Sequence, residues 1–346
     1  MSSHLKAAIL LAILGVIFTG VFIFNRIPKP QQDSQTSGAP LPVIIVGTAP
    51  PSSNDLAARV IKKMGWDKEA GYILEQRNIA IEATVPAMIG GAVDIIGMTP
   101  LTAISTIDSE RPIKIIANGN IVSCPFFVPG DSPAQSWQDL RGKRLGMTSN
   151  VGPSYNTTRM AFKLKEGIDI NKEFQVSHSP TQELIPRLVR GEIDAALGRC
   201  GEVGIAKAIV EAKFKTIGNM TDILYKDGEY KELMMEAMIS TKVWTEGHKD
   251  LVDKFRKTLY KAYAYIKENP EIFDDPDIQK AYALDSAEPA VITKIKELVP
   301  QFYTFVDWPV VVDSQTKFLE AAKKEGLLNE VPPKEELFYN PTESIQ

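Results

Sequence analysis

A chain of 346 residues, 44% hydrophobic and 24% charged, has ordinary globular composition and enough length for two domains. Its 39 basic and 43 acidic residues give a net charge of −4, which leaves no basic footprint for nucleic acid. Three histidines and two cysteines supply little for metal cages or catalytic triads and exclude a disulfide-rich scaffold.

Ala7 to Phe24 is an uncharged apolar stretch. At about 1.5 Å of helical rise per residue it just spans a hydrocarbon core of about 30 Å. Lys6 precedes it and Arg26 and Lys29 follow, so charge does not set its orientation. No small-residue cleavage site follows. Residues 1–27 are therefore expected to be a membrane anchor, retained in preference to a cleaved signal. Residues 28–41, rich in Pro, Gln, Ser and Thr, have nothing to bury and read as a flexible linker. The first 41 residues hold Lys6, Arg26, Lys29 and Asp33, so the remaining body carries a net charge of −6. The expectation is an acidic soluble body outside the membrane, anchored or secreted.

Val43–Val46 is a short apolar run. A turn and a helix with Leu56, Val60 and Met64 follow, capped by Ser53 or Asn54 and stopped at Gly65. Tyr72–Leu74 reads as a second strand, and a helix carrying Ile81, Val85 and Met88 ends at Gly90-Gly91. Val93–Gly97 is a third strand, Thr99 opens a helix, and Ile113–Ala117 is a fourth strand. After Gly130 the scheme restarts. Trp137–Lys143 leads into a strand at Arg144–Met147, then a loop and a helix with Met160 and Leu164. A strand at Glu173–Ser177, a helix at Gln182–Arg190, a strand at Ile193–Leu197 and a helix from Glu202 to Lys213 come next. Glu232–Ser240 can return the chain to the first half as an extended segment. Leu251, Phe255, Leu259, Ala262 and Ile266 then form the stripe of a packed helix, and Phe318–Leu328 forms another.

Short apolar strands alternating with helices imply parallel sheets with right-handed crossovers. Both halves share one step, helix then Gly-x-x-Asp then strand: Gly91-Ala92-Val93-Asp94 and Gly191-Glu192-Ile193-Asp194. Each glycine suits a left-handed C-cap, and two copies in matching places imply two similar lobes.

Five ordered segments carry a resemblance: Met88–Ile95, Arg111–Ala117, Trp137–Gly146, Leu188–Ala195 and Tyr263–Pro270. Together they resemble the substrate-binding proteins of ABC importers in the nitrate/sulfonate/taurine and thiamine-precursor group. The likeness covers roughly residues 42–335. It implies a two-lobed α/β fold of the periplasmic-binding type, with two parallel or mixed sheets, flanking helices and two hinge strands. Lobe I would comprise 42–124 and 241–346, and lobe II 125–240, with crossings near Asn120–Val128 and Met234–Thr241. The resemblance implies a monomer without cofactor or metal that meets a small solute and ABC permease subunits.

In open α/β sheets, ligands sit beyond the carboxyl ends of the strands, where helix N-termini point. That rule selects Pro51, Ser52, Ser53, Asn54, Arg77, Asn78 and Thr99 in the first half. It selects Ser149, Asn150, Gly152, Ser154, Tyr155, His178, Arg199 and Cys200 in the second, and Ser123 joins them at the first crossing. Helix-end N–H groups and arginines favour oxyanions, so the expected ligand is a small organic anion such as a sulfonate or carboxylate, or nitrate. Each residue also has a plainer reading. Ser53, Asn54 and Ser154 suit helix caps, Arg77 beside Glu75 suits a surface pair, and His178 and Tyr155 suit loop packing.

The family's aromatic "W-x-P"-like element is replaced here by Gly198-Arg199-Cys200-Gly201-Glu202, which tells against an aromatic-stacked pyrimidine. A neutral heterocycle, such as a thiamine-precursor pyrimidine, is the alternative ligand. A sensor feeding a membrane receptor, or an enzyme of the pyrimidine-synthase type, are the alternatives of other classes. No nucleophile–base pair with an orienting third group is evident, so the chain is read as a non-enzyme. Cys124 and Cys200 could pair in an oxidising compartment, but free thiols are the expectation, because a bridge near a hinge would restrict closure.

Overall fold

Runs of branched apolar residues alternate with amphipathic stretches along the whole body. In the computed structural model they fold into two five-stranded sheets with helices packed around them. It describes residues 40–48, 52–80, 83–106, 111–121, 123–148, 153–198, 201–230, 232–303 and 307–345. The expected anchor and most of the linker lie outside these residues. Among the described residues, no helix is long and apolar enough to cross a membrane. Leu41–Gln346 forms one compact unit.

The first sheet takes β1 (Val43–Thr48), β2 (Ile73–Asn78), β3 (Ile95–Met98), β4 (Ile113–Ile121) and, from much later in the chain, β10 (Met234–Thr241), in the order β2-β1-β3-β10-β4. The second takes β5 (Pro125–Pro129), β6 (Arg144–Met147), β7 (Gln175–His178), β8 (Ala195–Leu197) and β9 (Phe214–Asn219), in the order β7-β6-β8-β5-β9. The two orders are one pattern. Three parallel strands are followed by one antiparallel strand that the chain contributes out of sequence, then by an edge strand.

The passages between sheets are short at one point and long at the other. β4 ends at Ile121 and β5 begins at Pro125, while residues 220–233 carry the chain from β9 back to β10. Met234–Thr241 is thus itself a strand of the first sheet, paired with both β3 and β4. The return is made by the preceding segment.

The longer helices are α1 (Ser53–Met64), α2 (Pro153–Glu166), α3 (Thr181–Val189), α4 (Glu202–Val210), α5 (Lys249–Glu268), α6 (Pro289–Phe302) and α7 (Trp308–Lys324). The stripe Leu251, Phe255, Leu259, Ala262 and Ile266 of α5 is buried as its spacing requires. α7 starts earlier than the apolar pattern from Phe318 implies, because Trp308-Pro309 opens the helix and Trp308 is buried.

The repeated Gly-x-x-Asp step has one mechanical meaning in both halves. Gly91 and Gly191 sit at φ +72° and +66°, the left-handed conformation open to glycine. Each aspartate then ties its strand to the neighbour. Asp94 Oδ2 accepts from Ile45 N at 2.7 Å, and Asp194 Oδ2 accepts from Arg144 N at 2.9 Å. Burial raises the Asp94 carboxyl pKa, whereas the hydrogen-bonded Arg144 guanidinium lowers that of Asp194.

Candidate functional site

At the carboxyl edge of the first sheet, the N-terminus of α1 meets β3, β4 and β10. Ser52 is the N-cap, its Oγ accepting from Asp55 N at 3.2 Å, so the cap lies one residue before the expected Ser53 or Asn54. That shift frees both for other work. Ser53 Oγ accepts from Asn120 Nδ2 at 3.2 Å, and Asn54 Nδ2 donates to Glu236 Oε2 at 2.7 Å. Asn54 Oδ1 accepts from the Tyr263 hydroxyl of α5 at 2.8 Å, and Glu236 N donates to Asn120 Oδ1 at 3.0 Å.

Two glycines make room for this cluster. A Cβ on Gly97 of β3 would stand 2.6 Å from Asn54 Nδ2. A Cβ on Gly119 of β4 would stand 2.8 Å from the Glu236 carbonyl and 2.9 Å from Asn54 Oδ1.

At the carboxyl edge of the second sheet, Glu202 opens α4 and is buried, 2% exposed. Its Oε1 accepts from the Tyr303 hydroxyl at 3.3 Å, joining the two edges through the segment after α6. Burial raises the Glu202 carboxyl. Glu236 is pushed up to about 7 by desolvation and then by the nearby charge of Glu202. Glu236 as a residue is half-buried, while its carboxyl lies away from solvent against Asn54. Burial also pushes the phenols of Tyr263 and Tyr303 up, which keeps both as neutral hydrogen-bond donors.

The remaining sequence-selected residues fall into three groups. Arg77 and Asn78 are exposed at the outer strand β2. The Arg77 guanidinium is taken by Glu75, at 2.8 Å, and by the Ala92 carbonyl, so its described contacts keep it out of the cluster. Thr99 is buried and caps the helix Pro100–Thr106, with Oγ1 accepting from Thr102 N. Ser123 is buried and accepts from Asn219 Nδ2 at 3.1 Å beside the crossing.

In the second half, Ser154 shares a 2.6 Å hydrogen bond with Thr148 Oγ1. The Tyr155 hydroxyl accepts from Asn171 Nδ2, and its ring meets His178 edge-on at 4.8 Å. His178 Nδ1 lies 2.6 Å from the Thr148 carbonyl, so it braces the end of β6. Pro51, Ser149, Asn150, Gly152, Arg199 and Cys200 lie outside the described residues.

Cys124 is buried and disulfide-bonded, correcting the expectation of free thiols. The pairing of Phe127 with Ala196 in antiparallel strands runs the chain leaving β8 back toward Cys124, a proximity the spacing along the sequence conceals.

Glu236, Asn120, Tyr263, Tyr303 and the role of Glu202 were missed by the strand-end rule. Glu236 had a visible signal as the one charge inside the apolar run Leu233–Ser240. The tyrosines come from helices far along the chain, and no local pattern points them at α1.

The NMT1/THI5-like family model matches residues 60–272. No curated protein sequence matches the chain. Among solved structures, the aliphatic sulphonate binding protein SsuA from Escherichia coli superposes with a TM-score of 0.65 at 14% identity, covering 84% of this chain and 94% of that one. The nitrate-binding protein NrtA from Synechocystis gives 0.62 at 14% identity, covering 86% of each chain. The alkanesulfonate-binding protein SsuA from Xanthomonas axonopodis, bound to MOPS, gives 0.61 at 14% identity, covering 87% of this chain and 99% of that one. These neighbours are binding proteins of the periplasmic type, and the two sheets described above are that fold. The family match spans more than half of the sequence, and the chain belongs to the NMT1/THI5-like family.

Proposed function

We propose that the chain is an extracytoplasmic solute-binding protein, anchored through residues 7–24, that holds one small solute between its two sheets and hands it to an ABC importer. The observation that carries this reading is the facing pair of polar strand-end edges. The Ser53–Asn54–Asn120–Glu236 cluster of the first sheet is joined through Tyr303 to Glu202 of the second. Ligands of open α/β sheets bind at such edges, and closure of two lobes around a solute needs no bond chemistry.

Native mass spectrometry of the full chain extracted from its own membranes tests the proposal. A single small solute per chain, lost on denaturation, together with crosslinks to permease subunits, is the expected result. A solute-free chain without permease contacts overturns it.

A small oxyanion remains a specific second reading of the ligand, supported by what the SsuA and NrtA neighbours are named for. Of the two arginines on which that expectation drew, Arg77 is engaged elsewhere.

A further inference from the structure

The amino ends of the first sheet, opposite the candidate site, gather exposed apolar side chains. Seven large ones are exposed among the described residues, and five of them lie at this edge. Val43 opens β1 and Ile73 opens β2, and the parallel register sets the two side by side. Leu41 comes just before Val43. Met64 ends α1, which must run back to the amino edge for β1 and β2 to be parallel. Val243, 80% exposed, follows β10. Ile95 pairs with both Val46 and Ser240, so three residues further toward this edge brings Val43 and Val243 to one level. Only β3 stands between their strands, a separation of about 10 Å.

The surroundings of Val243 narrow the kind of partner. It lies in the helix Lys242–Gly247 beside Trp244, which is half-buried and stacked on His248 at 5.0 Å. Burial lowers the Lys114 pKa and the charges of Lys242 and Lys249 lower it further, against Glu246 and Glu336, so three cations gather here. Lys242, Lys249 and Lys62 in the last turn of α1 form no ion pair among the described residues. The body as a whole carries a net charge of −6, so an edge of free lysines around apolar side chains stands apart from it. Apolar residues with a tryptophan and lysines at their rim suit the headgroup boundary of an anionic bilayer. The covalent chain argues for the same occupant. Leu41 follows directly on residues 28–40, which lead from the uncharged stretch Ala7–Phe24.

We propose that the amino edge of the first sheet docks on the anionic lipid surface in which the chain is anchored, through Leu41, Val43, Ile73 and Val243. The proposal rests on the anchored reading above and adds to it a contact made by the folded body. Ser53 and Asn54 lie at the opposite end of the same strands, so a docked body holds that edge away from lipid and open to solute.

The test places a bimane label on the full chain in vesicles of equal parts phosphatidylglycerol and phosphatidylcholine, the latter brominated high on its acyl chains. Labelling without reductant spares the disulfide of Cys124. Labels at Val43→Cys, Ile73→Cys and Val243→Cys are expected to be quenched, and a label at Val189→Cys, exposed in the second half, is not. Adding Lys242→Glu and Lys249→Glu is expected to cut quenching at Val43→Cys about threefold or more while the chain still floats with the vesicles. Circular dichroism checks each variant, and Val243, the most exposed of these positions, carries the test if a strand variant does not fold.

A chain that floats with its edge labels quenched no more than the Val189→Cys label overturns docking and leaves the anchor standing. A chain that does not float removes the anchored reading and docking with it. Edge labels shielded only as the chain concentration rises mean that a second copy covers this edge, which also overturns the proposal.

Discussion

Glu236 is held near neutrality by two effects, loss of water and the proximity of Glu202, with burial the larger. Its carboxyl is pushed up to about 7, where an unfolded glutamate titrates near 4.5. The native state therefore keeps a proton that the unfolded chain releases. Stability from this group is fully present below the unfolded pKa and is lost as pH rises through the folded one. We predict that the ligand-free protein loses on the order of 2 kcal/mol between about pH 5 and pH 8 through this group. Glu236→Gln should flatten that slope, as measured by chemical denaturation across the range. A wild-type protein that gains stability over the same interval, with an unchanged slope in the variant, contradicts the assignment. The pairing of Glu236 with Asn54 links positions 182 residues apart, so neither composition nor local spacing could have revealed it.

Two elements of the first sheet come so close that only glycine fits between them. Gly119 of β4 faces the Glu236 carbonyl and the Asn54 amide, and backbone cannot swing aside as a long side chain can. Gly119→Ala is expected to cost about 1–3 kcal/mol and to displace Asn54. Gly247→Ala, whose Cβ meets nothing within 4 Å, should be close to neutral. Equal stabilities in denaturant titrations would remove the close-approach argument. The strand-tying aspartates make a second prediction. Asp94→Ala removes the acceptor for Ile45 N and should destabilise by about 1–3 kcal/mol, more than Asp94→Asn, which keeps an oxygen. Elements of this kind were legible because their cause is local. The glycine at positive φ, the aspartate three residues on and the apolar strand occur together in sequence. Arg144–Met147 emerged with the expected bounds because its signal is likewise local, an apolar run just after the turn at Gly142. β9 did not, since Lys215, Thr216, Gly218 and Asn219 dilute its apolar signal and its order comes from pairing with β5. The cap of α1 moved to Ser52 because several consecutive polar residues can each serve, and tertiary partners decide which one does.

Across the whole molecule, helix α4 of the second half packs along α6, and two polar contacts beside that packing flank the cluster. Lys207 Nζ donates to the Ala283 carbonyl at 2.9 Å, and the Tyr303 hydroxyl donates to Glu202 at 3.3 Å. Ala283 holds φ +50°, a conformation costly for alanine and kept where the surrounding structure imposes it. Neither contact lies within one sheet. Under the proposed closure around a solute they act as latches, and removing one shifts the population toward the open form. Lys207→Ala and Tyr303→Phe are each expected to weaken solute binding about three- to tenfold, as a hydrogen bond of roughly 0.5–1.5 kcal/mol would. The change should fall mainly in the dissociation rate, because the latch forms after capture. Small-angle scattering of the ligand-free variants should show a larger radius of gyration than wild type. Tyr303→Phe separates the two roles of that residue, because the ring still packs beside Tyr263 while the bond to Glu202 is gone. Unchanged dissociation rates together with an unchanged radius would mean that these contacts follow closure without holding it.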